Sequence, residues 1–148
     1  MPRSRGAARP CNNGKAYLFL QLFGVQGGYR YEEEFNSPEL SKVPGFLAKT
    51  GEYPACESEV GAFDMVGNLH EWVSDTVTRQ FLAQFEAEGV SRQYQPAVVG
   101  NGIFMGGFYS TSGEHGPGCL FTTVAHDPGY HDYSTGFRCC ATAKSPEK

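Results

Sequence analysis

The sequence predicts an α+β domain that is irregular and loop-rich, with short antiparallel strands and one or two helices. Three observations carry this. Nineteen glycines and nine prolines among 148 residues punctuate the chain too often for long regular elements. Hydrophobic residues at 40%, with aromatics at 14%, still supply a core, because each aromatic ring buries a large area. Only residues 76–89 place apolar side chains (Val77, Phe81, Leu82, Phe85) at helical spacing, with Gly89 as a natural stop. The length fits one domain over residues 11–142, with tails at 1–10 and 143–148.

The elements follow in order. Arg3, Arg5 and Arg9 lie among Pro and Gly and read as a solvated tail. The apolar run Ala16 to Val25 is too short to span a bilayer, is interrupted by Gln21 and has no small-residue cleavage pattern behind it. It reads as a buried strand or loop, which makes the chain soluble, in either a cytoplasmic or an exported setting, with no membrane partner. Residues 32–60 read as an extended surface loop broken by Pro38, Pro44, Gly45, Gly51 and Pro54. One helical turn is expected at 37–42, where Ser37 caps and Pro38 takes the first helical position. Gly100-Asn101-Gly102 is a hairpin signal between two short strands from residue 97 onward. Beyond it, short strands alternate with Gly/Pro turns.

The net charge of −4 excludes non-specific nucleic-acid binding, which needs a basic face to neutralise phosphates. Five cysteines leave at least one thiol free or paired between chains, and neither CxxC nor zinc-finger spacing occurs.

Three pieces of the chain carry a resemblance: Asp64-Met65-Val66-Gly67-Asn68-Leu69-His70-Glu71-Trp72, Met105-Gly106-Gly107-Phe108, and Gly136-Phe137-Arg138-Cys139. In order and spacing they resemble the D-M-x-G-N-(V/L)-x-E-W signature, the arginine-glycine-glycine-serine (Gly-Gly) strand and the terminal G-F-R of the sulfatase-modifying-factor, or formylglycine-generating-enzyme-like, family. The similarity covers its C-terminal portion, roughly residues 11–142 here, starting at the family's Cys-Asn position, Cys11-Asn12. The family's tryptophan- and arginine-rich N-terminal half has no counterpart. The resemblance implies a C-type-lectin-like fold in which Trp72 and Arg138 are structural.

It also implies metals. Relatives hold a structural calcium at the signature, here Gly67, Asn68, Leu69 and Glu71, oxygen ligands that suit a hard cation. The simpler role is that Asn68 satisfies its own turn and Glu71 bonds a nearby N–H. A second calcium site maps to Asn12, near Gly51 and Tyr53, with Gly51 where an acidic residue is expected. True formylglycine-generating enzymes bind copper through two cysteines shortly after the Gly-Gly strand. Residues 109–118 contain no cysteine, which removes the soft thiolates copper(I) needs. Cys119 falls where the family keeps a structural cysteine.

Within this framework Cys119 and Cys139 are expected to bridge neighbouring strands, and Cys11 and Cys56 to tie the long loop to the signature. His115, His126 and His131, with Glu114, Asp127 and Asp132, form a candidate second metal cluster, although loop histidines more often serve as hydrogen-bonding core residues. His70 is expected to pack. Tyr109, His115, Phe121, Tyr130 and Tyr133 are candidates for a binding surface.

The leading expectation is a ligand-binding or assembly module without formylglycine-generating activity, its ligand a peptide, carbohydrate or small molecule. The alternative is an oxygen- or metal-dependent modifying enzyme using the histidine-rich loops, with catalytic residues unassigned. A third reading is a fragment completed by a partner chain or by homo-oligomerisation.

Overall fold

The structure is a computed structural model, and it describes residues 9–24, 30–87, 97–111 and 121–140. It is a small mixed α+β protein. In the described residues four strands form one sheet in the order β3-β2-β1-β4, where β1 is His70–Thr76, β2 Gly102–Met105, β3 Thr122–Thr123 and β4 Thr135–Phe137. Among the described residues three short helices accompany it: α1 (Leu18–Phe23), α2 (Glu39–Lys42) and α3 (Arg79–Ala87). A π-helical turn spans Tyr31–Phe35.

The signature runs into the sheet's central strand. β1 pairs antiparallel with β2 (Glu71 with Met105, Trp72 with Phe104) and parallel with β4 (His70 with Thr135, Glu71 with Gly136, Trp72 with Phe137). The sheet is therefore mixed, where antiparallel strands alone were expected. The long connection from β1 to β4 permits the parallel pairing, which no tight turn can make. Between Trp72 and Thr76 the register to β2 slips. Gly102 is required there: a Cβ at this position would run into the Trp72 ring, so glycine lets the indole lie across β2.

Among the described residues, two apolar clusters make up the core. Leu18, Phe19, Leu40, Phe108 and Tyr109 form one, joined by Phe35, Phe46 and Tyr133. Val77, Ile103 and Val124 form the other, covered by Phe81 and Leu82 of α3. Thus α3 forms within the expected window 76–89, with Thr78 Oγ1 accepting the Phe81 N–H at 3.0 Å at its start.

Three local expectations are corrected. The run at 16–25 is neither strand nor loop but contains α1. Leu18–Phe23 holds no β-branched residue to favour a strand, and Gly24, at φ 62°, closes the helix by donating to the Leu20 carbonyl. Residues 32–60 are less superficial than expected, because Leu40 is fully buried and Phe35, Val43, Phe46 and Leu47 pack onto the first cluster. The helix there begins at Glu39, one residue later than expected. Ser37 Oγ accepts the Glu39 N–H at 3.3 Å and Pro38 occupies the cap.

The third correction concerns 97–105, where only β2 forms. The Gly100 turn docks on the end of β1 instead of folding a local hairpin. Gly100 donates to the Val77 carbonyl, Val77 donates to the Asn101 carbonyl, and Val98 and Val99 stay exposed.

Candidate functional site

The site begins with backbone shape. Asp64, Gly67 and Asn68 adopt φ of 59°, 76° and 64°. Asp and Asn tolerate this left-handed region better than other side-chain-bearing residues, and Gly67 has a further reason to be glycine. Its α-carbon lies so close to Asn12 that a Cβ would overlap the Asn12 carbonyl oxygen. The Gly67 N–H donates to Gly106, the Asn68 N–H to Asn12, and the Asn68 carbonyl accepts from Tyr109. The signature turn is thereby tied to both the Cys-Asn and the Gly-Gly segments.

The Asn68 side chain completes the junction. Its Oδ1 accepts from Asn12 Nδ2 and from the Ala48 N–H, both at 2.9 Å, and its Nδ2 donates to the Ala48 carbonyl. Asn12, fully buried, also donates to the Phe46 carbonyl at 2.8 Å. The Lys15 ammonium donates to the carbonyls of Gly45 and Phe46 beside it.

Cys11 and Cys56 form a disulfide across 45 residues, as the sequence suggested. The other expected bridge is not made: Cys139 is a free, exposed thiol, because the chain leaves the sheet after Phe137 and turns into solvent. Cys119 lies outside the described residues.

Glu71 and Arg138 meet on the adjacent edge. Arg138 Nε donates to Glu71 Oε2 and Nη2 to Oε1, each at 2.5 Å, while Nη1 reaches the Phe63 carbonyl and Nη2 the Asp64 carbonyl. The bonds to Glu71 above all hold the guanidinium pKa above its ordinary value. Around the pair lies a cleft of about 250 Å³, lined among others by Thr50, Phe63, Asn68, Leu69 and Phe137.

This geometry bears on calcium. Both Glu71 oxygens face Arg138, and Asn68 Oδ1 already accepts two N–H groups. As arranged, Gly67, Asn68, Leu69 and Glu71 do not fit the ion, which needs several oxygens free of such donors. Near the second family position, Asp64 Oδ2 accepts the Gly51 N–H. The buried Asn12 Oδ1 and Asp64 Oδ1 have no hydrogen-bond partner among the described residues.

The histidines do other things. His70 packs against Phe104, Phe108 and Phe121, the packing role expected of it. His126 is stacked between Tyr130 (3.7 Å between centroids) and Phe104, and its burial lowers its pKa, partly offset by Asp132 and Asp127. His131 is exposed, with Nδ1 at 3.2 Å from the Gly129 carbonyl, and His115 lies outside the described residues. Asp132 is taken up by its own turn, where Oδ1 accepts from Ser134 N and Oγ and Oδ2 from the Tyr130 hydroxyl. Among the described residues no three His, Cys, Asp or Glu side chains converge as a metal site would require.

The proposed aromatic binding surface is also redistributed. Tyr109 and Phe121 are buried and Tyr133 packs on the first core cluster, since the Gly106-Gly107 turn carries Phe108 and Tyr109 inward. Burial pushes the Tyr109 phenol pKa well up. Sequence reasoning missed Asp64 and Ala48 as junction residues and Asp132 as the organiser of its own turn. The Asp132-Tyr133-Ser134-Thr135 string is a local turn signal that marks the last of these.

Among the described residues no helix is long and apolar enough to cross a membrane. No protein-family model, curated protein or solved structure matches the chain.

Proposed function

We propose that the chain is a small ligand-binding or assembly module on a sulfatase-modifying-factor-like, C-type-lectin-like scaffold, without formylglycine-generating activity. One observation carries this reading: the signature's polar side chains are committed to holding segments together. Asn68 joins the Asn12 and Ala48 segments, and Glu71 grips Arg138 across the parallel strands. A further support is chemical, since the stretch after the Gly-Gly strand, residues 109–118, offers no thiolate for copper(I).

The ligand face in this reading is the cleft beside the Glu71–Arg138 pair. Its mixed lining, Thr50 and Asn68 with Phe63 and Phe137, suits a peptide, a carbohydrate or a small polar molecule. For assembly, α1 offers exposed Leu20 and Leu22. A calcium ion at the signature would have to displace Arg138 from Glu71, so the module is proposed to stand without one.

The test incubates purified protein with copper(I), oxygen and a cysteine-containing peptide. After reduction of any peptide disulfide, the expected result is a peptide of unchanged mass; an aldehyde product overturns the reading. Metal analysis of the same protein addresses the histidine-loop alternative. Stoichiometric copper, iron or zinc would favour an enzyme, while no bound metal accords with the module as proposed.

A further inference from the structure

The strand register sorts the sheet's side chains onto two faces. Glu71 pairs with Met105 and Met105 with Thr122, so these leave the sheet on one side, and strand alternation adds Val73 and Ile103 to it. Trp72 and Phe104, one residue out of step, turn to the other side, where His70 and His126 pack on Phe104. On the first side Phe81 and Leu82 of α3 cover Ile103, while Val73 stays exposed. Between α3 and the strands lies a cavity of about 340 Å³, lined by Val73, Ile103, Met105 and Thr122 and by Phe81. That volume falls within the range of small-molecule pockets, roughly 300–1,000 Å³. Neither Glu71 nor Arg138 borders it, so it is separate from the cleft beside that pair, and the inference does not rest on the cleft's role.

Three polar side chains also line this cavity. Gln80 and Gln84 stand one helical turn apart on α3, and Asp75 follows Val73 on the same side of β1. All three are exposed, and among the described residues their side chains have no hydrogen-bond partner. Each carboxamide offers two N–H donors and a carbonyl acceptor, while the carboxylate only accepts. Among the described residues no Lys, Arg or His lines the cavity, so an anion would meet Asp75 with no compensating charge.

We propose that the cavity between α3 and the β1–β2 face binds a neutral saccharide without a metal ion. A ligand amine would use Asp75 and leave both carboxamides idle, and a purely apolar ligand would bury all three polar groups unpaired. A sugar uses the whole lining. Its hydroxyls donate to Asp75 and both donate to and accept from Gln80 and Gln84, while its C–H face rests on Phe81, Met105 and Val73. One carboxylate with two amides is too few charged oxygens to require calcium.

The test titrates full-length protein with maltose, cellobiose, lactose and diacetylchitobiose in the presence of EDTA, read by saturation-transfer NMR and calorimetry. At least one sugar is expected to bind, and Gln84→Ala and Asp75→Ala should each weaken it by about tenfold. Both residues are exposed, so thermal melts matching the wild type separate lost binding from lost fold. Three results would each overturn the proposal: no binding of any of these sugars at millimolar concentration, binding that survives both substitutions, or binding that appears only when calcium replaces EDTA. Binding lost with Phe137→Ala and kept with Gln84→Ala would place the sugar in the cleft beside Glu71 and Arg138, and would overturn it as well.

Discussion

Glu71 and Arg138, 67 residues apart in sequence, face each other through two parallel 2.5 Å hydrogen bonds across neighbouring strands. The guanidinium also caps the Phe63 and Asp64 carbonyls, so one side chain links β1, the residue following β4 and the entrance to the signature turn. A planar fork suits this role and an ammonium does not. Arg138→Ala should destabilise the fold by about 2–3 kcal/mol, with Arg138→Lys recovering less than half of that. Urea unfolding measures both.

Asn68 serves the same junction through its side chain and its backbone. Asn68→Ala loses the bonds to Asn12 and Ala48 and leaves an alanine at positive φ. A loss of about 2–3 kcal/mol is expected. Asn68→Gly loses the same bonds but relieves the backbone, so it should unfold about 1 kcal/mol less readily than Asn68→Ala. Equal stability of the two variants would show that the left-handed backbone carries no cost there.

The Cys11–Cys56 disulfide closes a loop that includes α1 and α2. In the chain-entropy account, replacing both cysteines with serine should cost about 4 kcal/mol. Thermal melts of the double serine variant against the oxidised protein read this directly.

The burial of His126 between Tyr130 and Phe104 lowers its pKa below the ordinary value of 6.5. The unfolded chain then binds the proton more readily than the folded one. Stability should therefore rise with pH through the interval below 6.5 and be lost as pH falls through it. Asp127 and Asp132 oppose the shift and narrow the interval. Comparing unfolding free energies at several pH values for wild type and His126→Phe isolates this slope, which the variant should lack.

The sequence made some of this legible and not the rest, for physical reasons. The α3 window and the Gly67-Asn68 turn are local patterns, and both formed where periodicity and turn chemistry put them. The Cys11–Cys56 pairing was also anticipated. The parallel β1–β4 pairing was not, because strand partnership depends on what distant segments do. α1 escaped because a short apolar run has no period long enough to separate helix from strand. Tyr109 and Phe121 were misread as surface because an aromatic beside glycine looks the same in sequence whether its turn aims it in or out. The junction role of Asp64 could not be read, since its partners at Gly51 and Arg138 are remote.

A double-mutant cycle over Glu71→Gln and Arg138→Lys, measured by urea unfolding in the presence of a metal chelator, tests most directly whether the signature's polar groups act as scaffold. A coupling of about 1 kcal/mol or more is predicted, with the wild type folded cooperatively in chelator. Additive effects of the two substitutions, or a wild type that unfolds once metal is removed, would contradict it.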